Sequence, residues 1–217
     1  QSVYYFYSYF LIEDKDRPIN FSVPTGNFGD VYAGYLAKKM GLPINKLIIA
    51  TNSNDILKRV LTAGVYKPTK VKYTISPSMD IQVASNFERL LFELNDGNSL
   101  KTLKLMDDLK KHGEFKLSKG DLEKIKENFI SESLSEKEIK LEINKIYKKE
   151  GVLLDPHTAI ATGIASKLST KGHTVALATA HPAKFPDIIV KEINIKPELP
   201  DNLKNILLKK EIYTRTS

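Results

Sequence analysis

The chain has 217 residues, 41% of them hydrophobic and 27% charged, which is enough for one domain, or one domain with a subdomain, around a substantial core. The absence of cysteine excludes disulfides and thiolate zinc sites, and the four histidines do not have the spacing of a metal site. The formal net charge of +7 is spread thinly along the sequence, so lysine-rich solvated helices explain it better than a nucleic-acid-binding surface does.

The sequence also lacks the features of a membrane or secreted protein. No apolar run approaches the roughly 18 to 20 residues that a membrane span needs. Residues 1–10 are rich in aromatic side chains, but they lack the basic start and the small-residue cleavage site of a secretory signal. We therefore expect a cytoplasmic protein with no membrane, nucleic-acid or metal partner.

The first 95 residues alternate between predicted strands and helices. Apolar and β-branched runs predict strands at 19–23, 46–50 and 71–75, and helical spacing predicts helices at 28–40, 54–63 and 80–94. The second of these helices has Asn54 or Ser53 as its candidate N-cap and Gly64 as its end. Such alternation favours an α/β fold in which helices cover a parallel sheet.

The rest of the sequence divides into a lysine- and glutamate-rich segment and a second strand-and-helix region. Apolar residues at helical spacing between about 100 and 150 predict an all-helical subdomain or insertion. Asp155 and Pro156 then predict the N-cap and first residue of a helix that runs to Leu168. A strand is predicted at 173–178, ending at Thr179, and closing helices are predicted at 182–193 and 201–210.

The segment 22–34, Ser-Val-Pro-Thr-Gly-Asn-Phe-Gly-Asp-Val-Tyr-Ala-Gly, indicates a phosphate-binding loop between a strand and a helix. A residue without Cβ at Gly26 and Gly29 lets the backbone adopt strained angles and brings N–H groups close to an anion. The backbone amides from Gly26 through Asp30 are the candidate donors, Asn27 adds a side-chain donor, and Phe28 shields the loop. A turn that binds nothing is the alternative for this motif taken alone.

Further motifs follow in a fixed order along the chain. They are Lys-Met-Gly-Leu-Pro at 39–43, Leu-Ile-Ile-Ala-Thr-Asn-Ser-Asn-Asp at 47–55, Ser-Asn-Phe-Glu-Arg-Leu-Leu at 85–91, Leu-Asp-Pro-His-Thr at 154–158 and Ala-Thr-Ala-His-Pro-Ala-Lys-Phe at 178–185. Together with the glycine loop, they make residues 1 to about 200 resemble threonine synthases. The resemblance implies fold type II of pyridoxal-phosphate enzymes, the tryptophan-synthase-β-like fold, with pyridoxal 5′-phosphate as cofactor.

The resemblance also implies a reaction and a ring contact. Threonine synthases convert O-phospho-L-homoserine and water to L-threonine and phosphate, and the hydroxyl at the position of Thr179 faces the cofactor ring nitrogen. From the residues alone, a strand-end threonine that bonds a turn amide is the favoured interpretation of Thr179, and the resemblance favours the ring contact. Asp30 belongs to the cofactor site by resemblance, whereas charge alone makes it a structural cap, because a carboxylate repels a neighbouring phosphate.

Candidate substrate contacts lie on and before the helix predicted at 80–94. An arginine fork at Arg89 suits a phosphate or carboxylate, and Asn86, Ser78 and Asp80 are polar residues on the same stretch. Each of them is more often a cap or a surface group than a ligand. We interpret His157 and His181, which both neighbour proline, as structurally satisfied and assign neither a catalytic role.

One feature of threonine synthases is missing from the sequence. Their cofactor lysine lies in a Phe-Lys-Asp type motif upstream of the glycine loop, and here the only Phe-Lys pair, Phe115-Lys116, has the wrong context. We therefore interpret the chain as the C-terminal part of a longer enzyme, whose N-terminal part is its partner. The expected division is a helix remnant and linker at 1–18, the cofactor-phosphate region at 19–95, a helical subdomain at 96–150 and an α/β return at 151–217. The alternatives are a non-catalytic remnant or binding module and, less favoured, a basic nucleic-acid-binding protein.

Overall fold

Four parallel strands form the central sheet of the structure, a computed structural model that describes residues 1–215. The strands of the chain are β1 (Ile19–Pro24), β2 (Ile44–Thr51), β3 (Val65–Tyr66), β4 (Phe115–Lys116), β5 (Phe129–Ser133) and β6 (His173–Ala176). Their order across the sheet is β5-β2-β1-β6, while β3 and β4 form a separate antiparallel pair. The strand that leads into the glycine loop is therefore central, with a parallel neighbour on each side.

Helices cover both faces of this sheet. They are α1 (Ser2–Leu11), α2 (Gly29–Lys39), α3 (Ile56–Ala63), α4 (Phe87–Leu94), α5 (Ser99–His112), α6 (Lys119–Asn128), α7 (Glu136–Glu150), α8 (Pro156–Leu168) and α9 (Pro186–Ile193). Leu47 and Ile49 of β2 join the hydrophobic cluster that includes α2 and α3, and Ile48 and Ala50 join the cluster that includes α7 and α8. Burial on both faces explains why this strand is continuously apolar. A parallel sheet covered by helices on both faces confirms the predicted α/β class.

The prediction that residues 100–150 are entirely helical is wrong, because β5 lies among these helices and pairs in parallel with β2. Phe129 is 1% exposed, and its ring lies 5.6 Å from Phe28 and 5.5 Å from Tyr35, measured between centroids. The strand has the sequence Phe-Ile-Ser-Glu-Ser, with only two apolar residues. Its extended conformation therefore depends on pairing with β2 and not on its own hydrophobic pattern. The four-part division of the chain stays a prediction.

The prediction of a strand at 71–75 is also wrong, because side chains, not a neighbouring strand, form hydrogen bonds with the backbone of this segment. The Lys72 N–H donates to Asn54 Oδ1 at 2.9 Å, and Asn54 Nδ2 donates back to the Lys72 carbonyl at 2.8 Å. The Thr74 N–H donates to Asp80 Oδ2 at 2.8 Å. Tyr73 is 93% exposed, so the apolar alternation here reflects no buried face.

Several predicted boundaries shift in the structure. Phe87 opens α4, and the residues before it form a short 3₁₀ turn, Pro77–Met79, and an irregular loop, so a helix from residue 80 is wrong. Asp55 is the N-cap residue of α3, in place of Asn54 or Ser53, while Gly64 ends that helix at φ 72° as expected. The helix predicted at 182–193 is a 3₁₀ turn, Pro182–Lys184, followed by α9, and the one predicted at 201–210 consists of two 3₁₀ turns.

The Asp155 prediction is confirmed, because its side chain accepts a hydrogen bond from the His157 N–H at the start of α8, with Pro156 in the first turn. The strand before Thr179 is two residues shorter than predicted and ends at Ala176. Among residues 1–215, no helix is long and apolar enough to cross a membrane.

We expect Phe129→Ala to lower the free energy of unfolding by about 3–5 kcal/mol, because it leaves a cavity under the glycine loop and beside α2. Phe92→Ala, at a side chain that is 44% exposed, is the matched control and should cost about 1 kcal/mol or less. Urea unfolding monitored by circular dichroism measures both values. Equal losses in the two variants would contradict a core position for β5.

Candidate active site

The glycine loop borders a cavity at the carboxyl ends of β1 and β6, which is the edge where open α/β sheets place ligands. The cavity has a volume of about 540 Å³. It brings together most of the residues singled out in the sequence. Its wall includes Gly26, Asn27, Gly29, Asp30, Ser78, Asn86, Arg89 and Thr179, together with His157 and Lys184.

Most backbone N–H groups of the loop are unpaired within the described residues, the exception being that of Gly29. The Thr25 N–H makes the last sheet bond, to the Ala50 carbonyl at 2.8 Å. Beyond it, the N–H groups of Gly26, Asn27, Phe28 and Asp30 donate no hydrogen bond to any of residues 1–215. They precede or open α2, whose dipole has its positive end here. The loop therefore supplies the donors that an anion requires.

The two glycines serve close approach, and the expectation that they carry strained backbone angles is wrong. The positive φ of the loop, 68°, belongs to Phe28, the residue before α2. A Cβ on Gly26 would lie 3.0 Å from the Ser78 carbonyl oxygen, and one on Gly29 would lie 3.0 Å from Asn27 Oδ1. Larger residues would push the loop against the Pro77–Met79 turn or displace the Asn27 side chain.

Phe28 does not line the cavity, because its side chain is fully buried beneath the loop. Its ring meets Phe87 edge to face, with 5.2 Å between centroids. The start of α4 also contacts the loop directly, since the Asn86 N–H and Nδ2 both donate to the Asn27 carbonyl, at 3.0 and 3.1 Å. Asn27 Oδ1 accepts from the Gly29 N–H at 2.9 Å, which leaves its Nδ2 as a donor.

Asp30 is bound to Tyr5 instead of capping the helix. The Tyr5 hydroxyl lies 2.8 Å from the Asp30 carbonyl oxygen and 3.2 Å from Oδ1, and the side-chain acceptor at the start of α2 is Asn27, which binds the Gly29 N–H. Burial raises the pKa of the Asp30 carboxyl, and the hydrogen bond from Tyr5 opposes this by less. The raised pKa means that burial makes ionisation of this carboxyl unfavourable.

The remaining predicted residues divide between the cavity wall and its support. Ser78 lies on the Pro77–Met79 turn, and Arg89 lies in the first turn of α4. Asp80 is absent from the wall, because its carboxylate accepts hydrogen bonds from the Asn52 and Asn54 side chains, at 2.9 and 3.0 Å, as well as from Thr74. Asp80 therefore fixes the loop that carries Ser78.

Thr179 lies two residues beyond Leu177, whose N–H makes the last bond between β6 and β1. Its side chain is exposed on the cavity wall, and its hydroxyl makes no hydrogen bond within residues 1–215, so a turn amide is not its partner there. Its hydroxyl is therefore available to a ligand.

Two wall residues were not assigned from the sequence. His157 follows the Asp155 N-cap, and Lys184 ends the 3₁₀ turn Pro182–Lys184. The motifs around both were recognised, yet only the fold shows that they meet the glycine loop. With Arg89 and the unpaired amides, Lys184 makes the wall suited to anions. In the described part of the chain, no group of three or more histidine, aspartate or glutamate side chains could hold a metal ion.

Comparison with known proteins gives consistent matches. Residues 158–217 match the family model described as threonine synthase, C-terminal. The chain is 42% identical to the threonine synthase of Pseudomonas aeruginosa, over 99% of this chain and 46% of that protein. A pyridoxal-phosphate-bound threonine synthase from Brucella melitensis has a TM-score of 0.93 at 46% identity, over 98% of this chain and 46% of that one. Yeast threonine synthase has a TM-score of 0.88 at 39% identity, over 97% of this chain and 47% of that one.

The fold therefore defines the class of the protein as fold type II of pyridoxal-phosphate enzymes. Within that class, the chain belongs to the threonine synthase family, as its motifs predicted. It spans about half the length of the curated relatives it matches.

We expect Asp30→Asn to stabilise the fold at neutral pH, because ionising the buried carboxyl is unfavourable. The raised pKa means that this cost is absent below the ordinary value of 3.8 and grows until pH passes the folded-state pKa. The stability difference between variant and parent should therefore be small in acid and should reach a plateau as pH rises. Urea unfolding across this pH range measures the difference.

Tyr5→Phe is the companion variant for Asp30→Asn. It removes the hydrogen bond that lowers the Asp30 pKa, so the pH-dependent range should extend to higher pH. A stability difference that stays constant at every pH would contradict a raised pKa of Asp30.

Proposed function

We propose that this chain forms the C-terminal half of a threonine synthase, which converts O-phospho-L-homoserine and water to L-threonine and phosphate with pyridoxal 5′-phosphate. The observation that carries the proposal is the set of unpaired N–H groups of Gly26, Asn27 and Asp30, residues that line the same cavity as Thr179. Family membership supports the same conclusion. A cytoplasmic location follows from the proposed role in amino-acid biosynthesis.

The loop fits the cofactor phosphate in charge and in space. The N–H groups of Gly26, Asn27, Phe28 and Asp30 would hold the phosphate, and the absence of side chains at Gly26 and Gly29 keeps the cradle open. Thr179 would face the ring nitrogen with a neutral hydroxyl. When bound, pyridoxal phosphate serves as an electron sink that stabilises carbanions of the substrate.

The other side of the cavity would bind the substrate. Arg89 and Lys184 supply positive charge for its phosphate and carboxylate, while Ser78 and Asn86 supply neutral hydrogen-bonding groups. Asp80 acts indirectly, by fixing the turn that carries Ser78. Fixed donors around both anionic groups would orient the carbon chain between them.

By resemblance to threonine synthases we infer that the cofactor lysine lies in a preceding segment and that this N-terminal part of the same enzyme is the chain's partner. The alternative, a non-catalytic remnant or binding module, is not favoured, because the relatives reported above are named threonine synthases.

Gly26→Ala should lower the affinity for pyridoxal phosphate about tenfold or more in the full-length enzyme that contains this chain, because its Cβ needs space against the Ser78 carbonyl. Gly120→Ala is the control, since a Cβ there meets only Ser118 Oγ, at 3.9 Å. Equilibrium dialysis measures the affinities, and circular dichroism shows whether both variants fold. Equal affinity of a folded Gly26→Ala variant would refute the phosphate role of the loop.

The 217-residue chain by itself should form no threonine. It should also not bind the cofactor covalently at one specific lysine. The reason is that the Phe-Lys-Asp motif is missing from its sequence. Borohydride reduction after mixing with pyridoxal phosphate, followed by mass mapping, measures the link, and full-length Pseudomonas aeruginosa threonine synthase is the positive control. Near-complete labelling of one lysine together with threonine formation would overturn this prediction.

A further inference from the structure

Helix α1 is fixed on the core by one of its faces. The Tyr5 side chain is fully buried, its ring lies 5.0 Å from that of Phe21 between centroids, and its hydroxyl donates to the Asp30 carbonyl at 2.8 Å. The Ser2 hydroxyl donates to the Ala33 carbonyl at 2.9 Å. These contacts join α1 to β1 and α2, so the helix has a defined orientation on the chain.

The opposite face of α1 is apolar and exposed. Five large side chains at helical spacing lie on this face, are each between 60% and 69% exposed, and are called the aromatic stripe here: Val3, Tyr4, Tyr7, Phe10 and Leu11. Single exposed apolar residues are common on protein surfaces, whereas a contiguous group of them marks an interaction surface. The stripe therefore indicates that another part of the protein packs on α1.

Strand β6 forms one edge of the central sheet, and among residues 1–215 no strand pairs with its outer side. The His173 and Leu177 N–H groups donate toward β1, at 2.8 and 3.0 Å. The backbone groups of the alternate residues, Thr174 and Ala176, therefore point away from β1. Their N–H groups donate no hydrogen bond to the described part of the chain, so they are available to a further strand.

The other edge of the same sheet is blocked by charge. On β5, the Ser133 N–H donates to Glu132 Oε1 at 2.7 Å, and the Glu132 carboxylate also pairs with Lys58 and Lys167. Charged side chains on an edge strand prevent the addition of another strand. The sequence of β6, His-Thr-Val-Ala, contains no carboxylate, lysine or proline. The β6 edge is therefore open where the β5 edge is closed.

The aromatic stripe and the β6 edge border one groove beside the candidate active site. The groove has a volume of about 510 Å³, and its wall includes Tyr4 and Tyr7 of the stripe together with residues 175–179. Three residues line both this groove and the cavity at the glycine loop: Gln1, Asp30 and Thr179. A segment that occupies the groove would therefore also form part of the wall of the active site.

We propose that the preceding segment of the same enzyme docks on the aromatic stripe and the outer edge of β6, an inference that rests on the proposed function. The segment adds an extended strand to β6, pairs with the Thr174 and Ala176 backbone groups, and buries the stripe under apolar side chains. Docking at this position places the segment beside the candidate active site.

The length and connection of the preceding segment favour it over a second copy of this chain. More than half of the Pseudomonas aeruginosa threonine synthase lies outside the region that matches this chain. A segment joined to Gln1 enters at the groove, because Gln1 lies on its wall, and the covalent connection gives it a high effective concentration there. A second copy has no such connection and no Phe-Lys-Asp motif.

Hydrogen exchange of backbone amides tests the docking without a substitution. The Thr174 and Ala176 amides should exchange about 100-fold or more slowly in the full-length enzyme than in the 217-residue chain, because each gains an acceptor in the added strand. The Ser131 amide, on the outer edge of β5, is the control and should exchange equally fast in both forms. Equal rates at Thr174 and Ala176 in the two forms, or equal slowing of all three amides, would overturn the proposal.

Charge on the aromatic stripe should act only in the full-length enzyme. Tyr4→Asp combined with Tyr7→Asp buries two carboxylates at the docking surface, so the melting temperature of the full-length enzyme should fall by about 4 °C or more. The melting temperature of the 217-residue chain should not change, since both side chains are exposed there. Tyr73→Asp, at an exposed tyrosine outside the stripe, is the control and should change neither value. An equal fall in both forms would contradict the proposal.

Two further results separate the occupant from the function. A dimer of the 217-residue chain in sedimentation, with Thr174 and Ala176 as protected as in the full-length enzyme, would show a second copy on this surface and overturn the proposal. Failure of the parent full-length enzyme to form threonine from O-phospho-L-homoserine would refute the proposed function. If the two amides are protected in that enzyme, the docking surface is nevertheless supported.

Discussion

The site depends on one backbone constraint, the left-handed conformation of Phe28. A bulky residue rarely adopts positive φ, and the conformation costs about 1–2 kcal/mol unless the surroundings enforce it. Here, burial of the ring against Phe87 and Phe129 provides that enforcement. The turn of the chain at this residue leaves the preceding N–H groups without sheet or helix partners. Anion-binding capacity thus results from core packing that lies beneath the loop.

The same packing connects the loop to distant parts of the sequence. Phe129 belongs to β5, more than a hundred residues after Phe28, and Asn86 contacts the Asn27 carbonyl from the start of α4. On the other side, Tyr5 reaches Asp30 from α1, with its ring 5.0 Å from that of Phe21. The elements around the loop therefore stabilise its geometry jointly, and this explains why buried aromatic residues concentrate beneath a polar site.

The sequence predicted features whose cause is local. The proline after Asp155 and the glycine at residue 64 both act within one helical turn, and the apolar run of β2 reflects burial on two faces. Features with a non-local cause were missed. The strand β5 exists through pairing with β2, and residues 71–75 are irregular because Asn54 and Asp80 bind their backbone. Likewise, the cavity wall joins residues from opposite ends of the chain, which the glycine motif alone does not reveal.

His157 shows that a capping motif satisfies only part of a buried histidine. Its Nδ1 is satisfied by the residue that caps its helix, which agrees with the interpretation of the sequence, but the ring has a second nitrogen. Because Asp155 both caps α8 and orients the imidazole, one carboxylate fixes the helix start and the direction of the free lone pair. A pair two residues apart on a rigid helix start varies little in geometry, so the sequence motif and the imidazole orientation are fixed together.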